Sequence, residues 1–89
     1  MKLTDINQIR KGVIYDDGDP EGPICLVIKT SPSNSSFTIE FGMSVEEVKA
    51  GKGERFEHHY GDLTGGIKNG TITILDPGRI SNWKNLLKP

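Results

Sequence analysis

The chain has 89 residues, of which 34% are hydrophobic and 26% are charged, and its formal net charge at pH 7 is −1. This length favours a single domain, residues 1–89, and the near-neutral charge argues against a strong attraction of the whole molecule to nucleic acid or to a membrane. The one cysteine, Cys25, excludes an intrachain disulfide. The start of the chain has no apolar leader and no segment has membrane-spanning length, so we expect a cytoplasmic protein without membrane contacts.

The first third of the chain predicts a short helix, a strand and a loop before a central strand. Residues 3–10 carry aliphatic side chains at helical spacing, and residues 13–15 form an apolar, extended segment. Residues 16–22, called here the acidic loop, contain two glycines, one proline and four acidic residues. Residues 24–30 form a short apolar run, which is typical of a strand covered on both faces.

A hairpin is predicted in the middle of the chain. Residues 31–36 are small and polar, as in a loop, and residues 37–41 alternate between apolar and polar side chains. We expect the segments 24–30 and 37–41 to pair as neighbouring strands. The side chains that would point inward are those of Phe37, Ile39 and Phe41.

A helix and another strand are expected next. Ser44, followed three residues later by Glu47, forms a capping-box pattern for a helix over residues 44–51. Residues 54–60 return to extended character. The alternation of a strand would place Arg55, Glu57 and His59 on one face and Phe56, His58 and Tyr60 on the other.

The C-terminal third predicts a turn, a strand and a closing helix. Asn69-Gly70 suits a type I′ hairpin turn, because both residue types tolerate a positive φ. Residues 71–75 alternate as a strand, with its two isoleucines on one face. Residues 81–87 predict a helix with its apolar side chains, including that of Trp83, on one side.

Together these short elements predict a mainly β fold. Frequent turn signals between short strands indicate a β-barrel-like or strongly curved antiparallel sheet of SH3-like size, with short flanking helices. The alternative is an α+β fold with helices on one face of the sheet.

The opening of this β region resembles a known family. Residues 12–15, an acidic turn and then residues 22–28 are similar to the start of PemK-type toxin barrels. The resemblance implies an SH3-like barrel and RNA cleavage. In that family an arginine usually precedes the proline, whereas Gly22 stands before Pro23 here, so the resemblance supports the barrel and not the nuclease.

No catalytic, metal or cofactor constellation emerges from the residue pattern. His58 and His59 are adjacent on a predicted strand, so their rings would point to opposite faces and would not share a metal ion. Cys25 lies within an apolar run, where a thiol is usually buried and unreactive. We therefore predict no cofactor, no metal and no enzymatic activity.

The leading hypothesis is a binding protein that docks on another protein, as an inhibitor or an accessory subunit. The acidic loop would complement a basic partner surface, and aromatic residues with polar groups would anchor the contact. The predicted partner-binding residues are Tyr15, Asp16, Asp17, Asp19, Glu21, Tyr60 and Trp83.

Three alternatives remain open. Residues 67–89 carry four basic side chains and one acidic one, a net of +3, which favours nucleic-acid binding by a small barrel. The basic residues of that alternative are Lys68, Arg79, Lys84 and Lys88. A small enzyme with His58 or His59 as its base is the second alternative. A homodimer formed through an uncovered edge strand near residues 71–75 is the third.

Overall fold

The computed structural model describes residues 1–20 and 22–78, which form one antiparallel sheet with short helical segments. Its strands are β1 (Ile14–Asp16), β2 (Ile24–Ser31), β3 (Ser36–Gly42), β4 (Glu54–His59) and β5 (Thr73–Asp76). Its helices are α1 (Val45–Lys49) and α2 (Thr64–Asn69), and 3-10 turns lie at Ile6–Gln8, Pro32–Asn34 and Tyr60–Leu63. The strand order is β4-β3-β2-β1-β5. The mainly β prediction is confirmed, but the sheet is open and does not close into a barrel.

The predicted hairpin is confirmed as the pair β2–β3. Cys25 lies opposite Phe41 and Val27 lies opposite Ile39, and the register shifts between Val27 and Lys29. Phe37 and Ile39 are buried, and Phe41 packs against the core cluster. The alternation of apolar side chains therefore set which face of β3 points to the core.

The predicted faces of the next strand are also confirmed. β4 pairs with β3, and the Phe56 ring stacks on Phe41 with a centroid distance of 4.9 Å. The rings of His58 and Tyr60 lie 5.9 Å and 5.2 Å from that of Phe37. These contacts place the aromatic side of β4 on the same face as the core.

Helix α1 covers the opposite face of β2 and β3 through the buried Val48. The Ser44 hydroxyl accepts a hydrogen bond from the Glu47 N–H at 3.1 Å, as the capping-box pattern predicts. The Glu47 carboxylate, however, accepts from the N–H of Met43 at 3.4 Å rather than from that of Ser44. Neither this helix nor any other helix in the described part of the chain is long and apolar enough to cross a membrane.

The hairpin turn predicted at Asn69-Gly70 is wrong. Asn69 is the last residue of α2, and Gly70 follows as its C-cap with φ +68°. The amide of Thr71 then donates to the Gly66 carbonyl at 3.0 Å. A glycine with positive φ serves a helix end as well as a type I′ turn, and here Leu63 and Ile67 hold the segment on the core as a helix.

The uncovered edge predicted near residues 71–75 is also wrong. The first residues of the chain pair along the outer side of β5, where Lys2 forms a bridge with Thr73. The Leu3 N–H donates to the Ile72 carbonyl at 2.9 Å, and the Ile74 N–H donates to the Met1 carbonyl at 2.6 Å. Ile72 and Ile74, predicted to share one face, are both buried. Within the described residues, the outer edge of β4 is the one that no strand covers.

Candidate functional site

The described residues form a cleft of about 520 Å³ on the core side of the sheet. Strands β1–β4 supply one side of it, and the segment 62–72 supplies the other. The acidic loop reaches its mouth with Asp17 and Asp19. Its volume falls within the range of roughly 300–1,000 Å³ that is usual for ligand sites. It is called the acidic cleft below.

Tyr15 and Cys25 form the floor of the acidic cleft. They face each other in the β1–β2 register and are 2% and 3% exposed. The pKa of the Cys25 thiol is raised from its ordinary 9.0 to about 11, mainly by burial and also by the negative charges of Asp17 and Asp16, while a hydrogen bond with Tyr15 offsets part of the effect. Burial is also the main cause that raises the pKa of Tyr15, followed by the neighbouring Cys25. The floor is therefore uncharged at neutral pH.

The raised pKa of Cys25 predicts that the protein loses stability at alkaline pH. A thiol with a pKa of about 11 in the folded state and 9.0 when unfolded stabilises the fold fully below about pH 9, and this contribution is lost as the pH rises toward 11. The difference between the folded and unfolded pKa values corresponds to roughly 2–3 kcal/mol in the free energy of unfolding. Urea unfolding at a series of pH values should show this decline, and the Cys25→Ala variant should show a shallower one. Equal slopes for the two proteins would contradict the prediction.

Aromatic rings form the wall of the acidic cleft. Phe41 and Phe56 lie stacked along it, and the Phe56 side chain is 46% exposed. His58 follows on the same face of β4, with its Nδ1 atom 3.7 Å from the Asp62 Oδ2 atom. The same carboxylate oxygen accepts a hydrogen bond from the His59 N–H at 3.1 Å. This bond holds Asp62 at the end of β4, beside the aromatic wall.

The acidic loop is held in place by its own turns and by one tight contact. Asp17 Oδ1 accepts from the Asp19 N–H at 3.0 Å, and Asp16 Oδ1 accepts from the Gly18 N–H at 2.8 Å. Gly18, with φ +90°, lies so close to the Thr71 carbonyl that a Cβ atom would collide with it. Thr71 also lines the cleft. The loop is thus fixed against the far wall, with Asp17 and Asp19 facing the opening.

The charge of the acidic cleft has one sign. The described residues that line it include the three carboxylates of Asp17, Asp19 and Asp62 and no lysine or arginine. The carboxylates of Asp17 at the mouth and Asp62 beside the aromatic wall flank an uncharged floor, and such a lining attracts cations. The described lining thus favours a positively charged ligand group.

The predicted partner-binding residues are divided by the structure. Tyr15, Asp17 and Asp19 meet in the acidic cleft, although the burial of Tyr15 makes it part of the floor and not an exposed anchor. Asp16 ends β1 and binds the loop backbone. Tyr60 packs on Phe37 and lines a separate cavity of about 350 Å³. Glu21 and Trp83 lie outside the described residues.

Of the basic residues in the nucleic-acid alternative, the structure describes Lys68. Lys68 is exposed on α2, whereas Arg79, Lys84, Lys88 and the predicted helix over residues 81–87 lie outside the described residues. Within residues 1–20 and 22–78, no three His, Cys, Asp or Glu side chains are close enough to hold a metal ion.

The sequence did not indicate that four residues of the acidic cleft belong to one site. These residues are Phe41, Phe56, His58 and Asp62. The alternation of β4 indicated a shared face for Phe56 and His58. No local pattern indicated that Asp62 and the acidic loop would meet there. Comparison with protein-family models, with curated proteins and with solved structures finds no match to this chain.

Proposed function

We propose that this chain is a small, non-enzymatic binding protein that docks on another protein, as an inhibitor or accessory subunit, by taking a basic side chain of that partner into the acidic cleft. The observation that carries the proposal is the cleft itself, where Asp17 at the mouth and Asp62 beside the aromatic wall line an apolar site that has no lysine or arginine among its described lining residues. The expected contact is therefore a cation with an apolar stem.

Lysine and arginine have this combination of properties. Their methylene stems can lie along the rings of Phe41 and Phe56 while the charged head reaches the carboxylates. A cation near the face of an aromatic ring gains about 0.5–1 kcal/mol at an exposed site. The partly exposed ring of Phe56 is positioned for such a contact. The volume of about 520 Å³ also leaves room for a neighbouring apolar side chain of the partner.

Selection from a random peptide library displayed on phage would test the proposal. The wild-type protein should enrich peptides that contain lysine or arginine beside an apolar residue. Asp17→Asn or Asp62→Asn should each weaken the binding of the selected peptides about fivefold, which corresponds to about 1 kcal/mol. Asparagine keeps an acceptor for the backbone bonds of these residues, so the loop geometry is preserved.

A matched control is available on the far side of the sheet. Glu46 is exposed in the first turn of α1 and does not line the acidic cleft. Glu46→Gln removes the same charge and should leave peptide affinity unchanged. Enrichment of acidic or purely apolar peptides, or an equal loss of affinity in all three variants, would contradict the proposal.

An enzymatic role is the second candidate, and one geometry favours it. His58, and not His59, lines the acidic cleft beside a carboxylate that approaches its Nδ1 atom, an arrangement found in acid–base sites. The separation of 3.7 Å is longer than a hydrogen bond, so the carboxylate does not orient the ring as a catalytic partner would.

A further inference from the structure

The outer edge of β4 has a short set of open backbone groups. The Tyr60 N–H donates to the Ser35 carbonyl at 2.9 Å, and bonded and non-bonded pairs alternate along an antiparallel ladder. In this register the backbone groups of residues 54, 56 and 58 face β3, and those of residues 55, 57 and 59 face outward. The His59 N–H is already bonded to Asp62. The groups of β4 that no described residue pairs with are therefore those of Arg55 and Glu57.

From this pattern we infer that β4 pairs with β4 of a second copy of this chain, antiparallel, around a two-fold axis at Phe56. Arg55 then lies opposite Glu57 of the second copy, and each such pair exchanges two backbone hydrogen bonds. Symmetry repeats the pair on the other side of the axis. The backbone pairing uses Arg55 and Glu57, neither of which lines the acidic cleft.

The side chains match this register on both faces of the sheet. On the α1 face, each Arg55 meets a Glu57, and both residues are exposed in the single chain. On the cleft face, the two Phe56 rings lie side by side, and Glu54 lies opposite His58. Arg55 already contacts Glu40 at 3.3 Å, Glu57 accepts from the Ser36 hydroxyl at 3.4 Å, and His58 lies near Asp62. The new charge pairs extend these contacts.

Neighbouring registers are disfavoured by both charge and hydrogen bonding. If the two-fold axis moves one residue toward the C-terminus, Glu57 lies opposite Glu57 of the second copy. That register also needs the His59 N–H as a donor, and this N–H is already bonded to Asp62. If the axis moves one residue toward the N-terminus, Arg55 lies opposite Arg55 of the second copy. That register also needs the N–H of residue 53 as a donor, and this N–H is bonded to Glu40 at 3.1 Å. Charged side chains usually keep an edge strand from pairing. Here their alternating signs make the edge complementary to itself.

The result is one continuous sheet in which both acidic clefts open on the same face. Rotation about an axis perpendicular to the sheet keeps each face on its own side. The two Phe56 rings then lie side by side at the axis, so each loses part of its exposed surface to the other. The contact is small, so we expect a dimer at the weak end of specific interfaces, with a dissociation constant on the order of 100 µM.

Sedimentation equilibrium over a concentration series tests the dimer. The average mass should rise from 9.8 kDa toward twice that value as the wild-type concentration passes about 100 µM. Glu57→Arg sets like charges opposite each other, and Glu57→Pro removes an outward N–H that β3 does not use. Each should weaken the dimer at least about tenfold, with circular dichroism confirming the fold.

Disulfide trapping tests the register. In the proposed dimer the Cα atoms of the two Phe56 residues lie about 4.5 Å apart, within reach of a disulfide. Phe56→Cys should therefore form a covalent dimer under mild oxidation. Glu54→Cys is the control, because its two copies are offset by four residues, or about 13 Å. A wild-type chain that stays monomeric at about 1 mM, a dimer unaffected by both Glu57 variants, or equal trapping of the two cysteines would overturn the inference.

Discussion

Replacing Phe37 with alanine is expected to lower the free energy of unfolding by about 3–5 kcal/mol, the usual cost of removing a buried aromatic ring. The side chain is 0% exposed and lies against His58 and Tyr60 as well as the core cluster. Small domains have a total stability of about 5–15 kcal/mol, so the variant should be close to unfolding at room temperature. Urea denaturation followed by circular dichroism measures the difference.

Phe56→Ala is the matched control for this prediction. It deletes the same ring from the neighbouring strand, but at a site that is 46% exposed and whose main aromatic contact is Phe41. The loss of that stacking contact costs about 0.5–1.5 kcal/mol beyond the smaller buried area. If Phe56→Ala were as destabilising as Phe37→Ala, the description of the core would be incorrect.

Glu40→Ala is expected to cost about 3 kcal/mol, an unusual loss for a charged residue. Glu40 is 2% exposed, and its carboxylate accepts from the Gly53 N–H at 3.1 Å and contacts Arg55 at 3.3 Å. Alanine would leave the Gly53 N–H without its acceptor and open a cavity beneath residue 53, while the exposed Arg55 side chain would turn to water. Denaturant unfolding at neutral pH measures the cost.

Two further variants separate the sources of this loss. Glu40→Gln keeps an oxygen acceptor and most of the volume, so it should lose less, about 1–2 kcal/mol. Glu46→Ala removes an exposed carboxylate from α1 and should change stability by no more than about 0.5 kcal/mol. A Glu40→Ala variant as stable as Glu46→Ala would show that the buried contacts contribute nothing.

The elements that the sequence predicts best are those in which local pattern and tertiary packing agree. Residues 37–41 alternate cleanly, and they form the centre of β3 with the expected face on the core. Ser44 caps α1 because its side chain needs only the backbone three residues ahead. The aromatic face of β4 follows from the same two-residue period.

The failures occur where one local signal suits two structures. Gly70 has the positive φ that both a hairpin turn and a helix C-cap require. The choice between them depends on the packing of Leu63 and Ile67 against distant strands. Likewise, nothing in residues 1–3 indicates that they pair with β5, because that pairing joins the two ends of the described chain.

The acidic cleft was not predictable as a unit. Its carboxylates come from the acidic loop and from the turn after β4, some 45 positions apart (Asp17 and Asp62). Their meeting depends on the contact of Gly18 with Thr71 and on the order of the strands in the sheet. The sequence indicated that the loop is acidic and predicted that it contacts a partner as an exposed surface. In the structure, Asp17 and Asp19 of this loop line a cleft instead.

Nuclear magnetic resonance titration of the ¹⁵N-labelled protein with the peptide acetyl-Leu-Lys-Leu-amide tests the binding of a basic side chain most directly. Norleucine in place of the lysine gives a peptide of similar shape without the charge. The lysine peptide should shift the backbone amides of Asp17, Phe56 and Asp62, and the norleucine peptide should bind at least about fivefold more weakly. Equal binding of both peptides, or shifts confined to residues outside the acidic cleft, would contradict the proposed function.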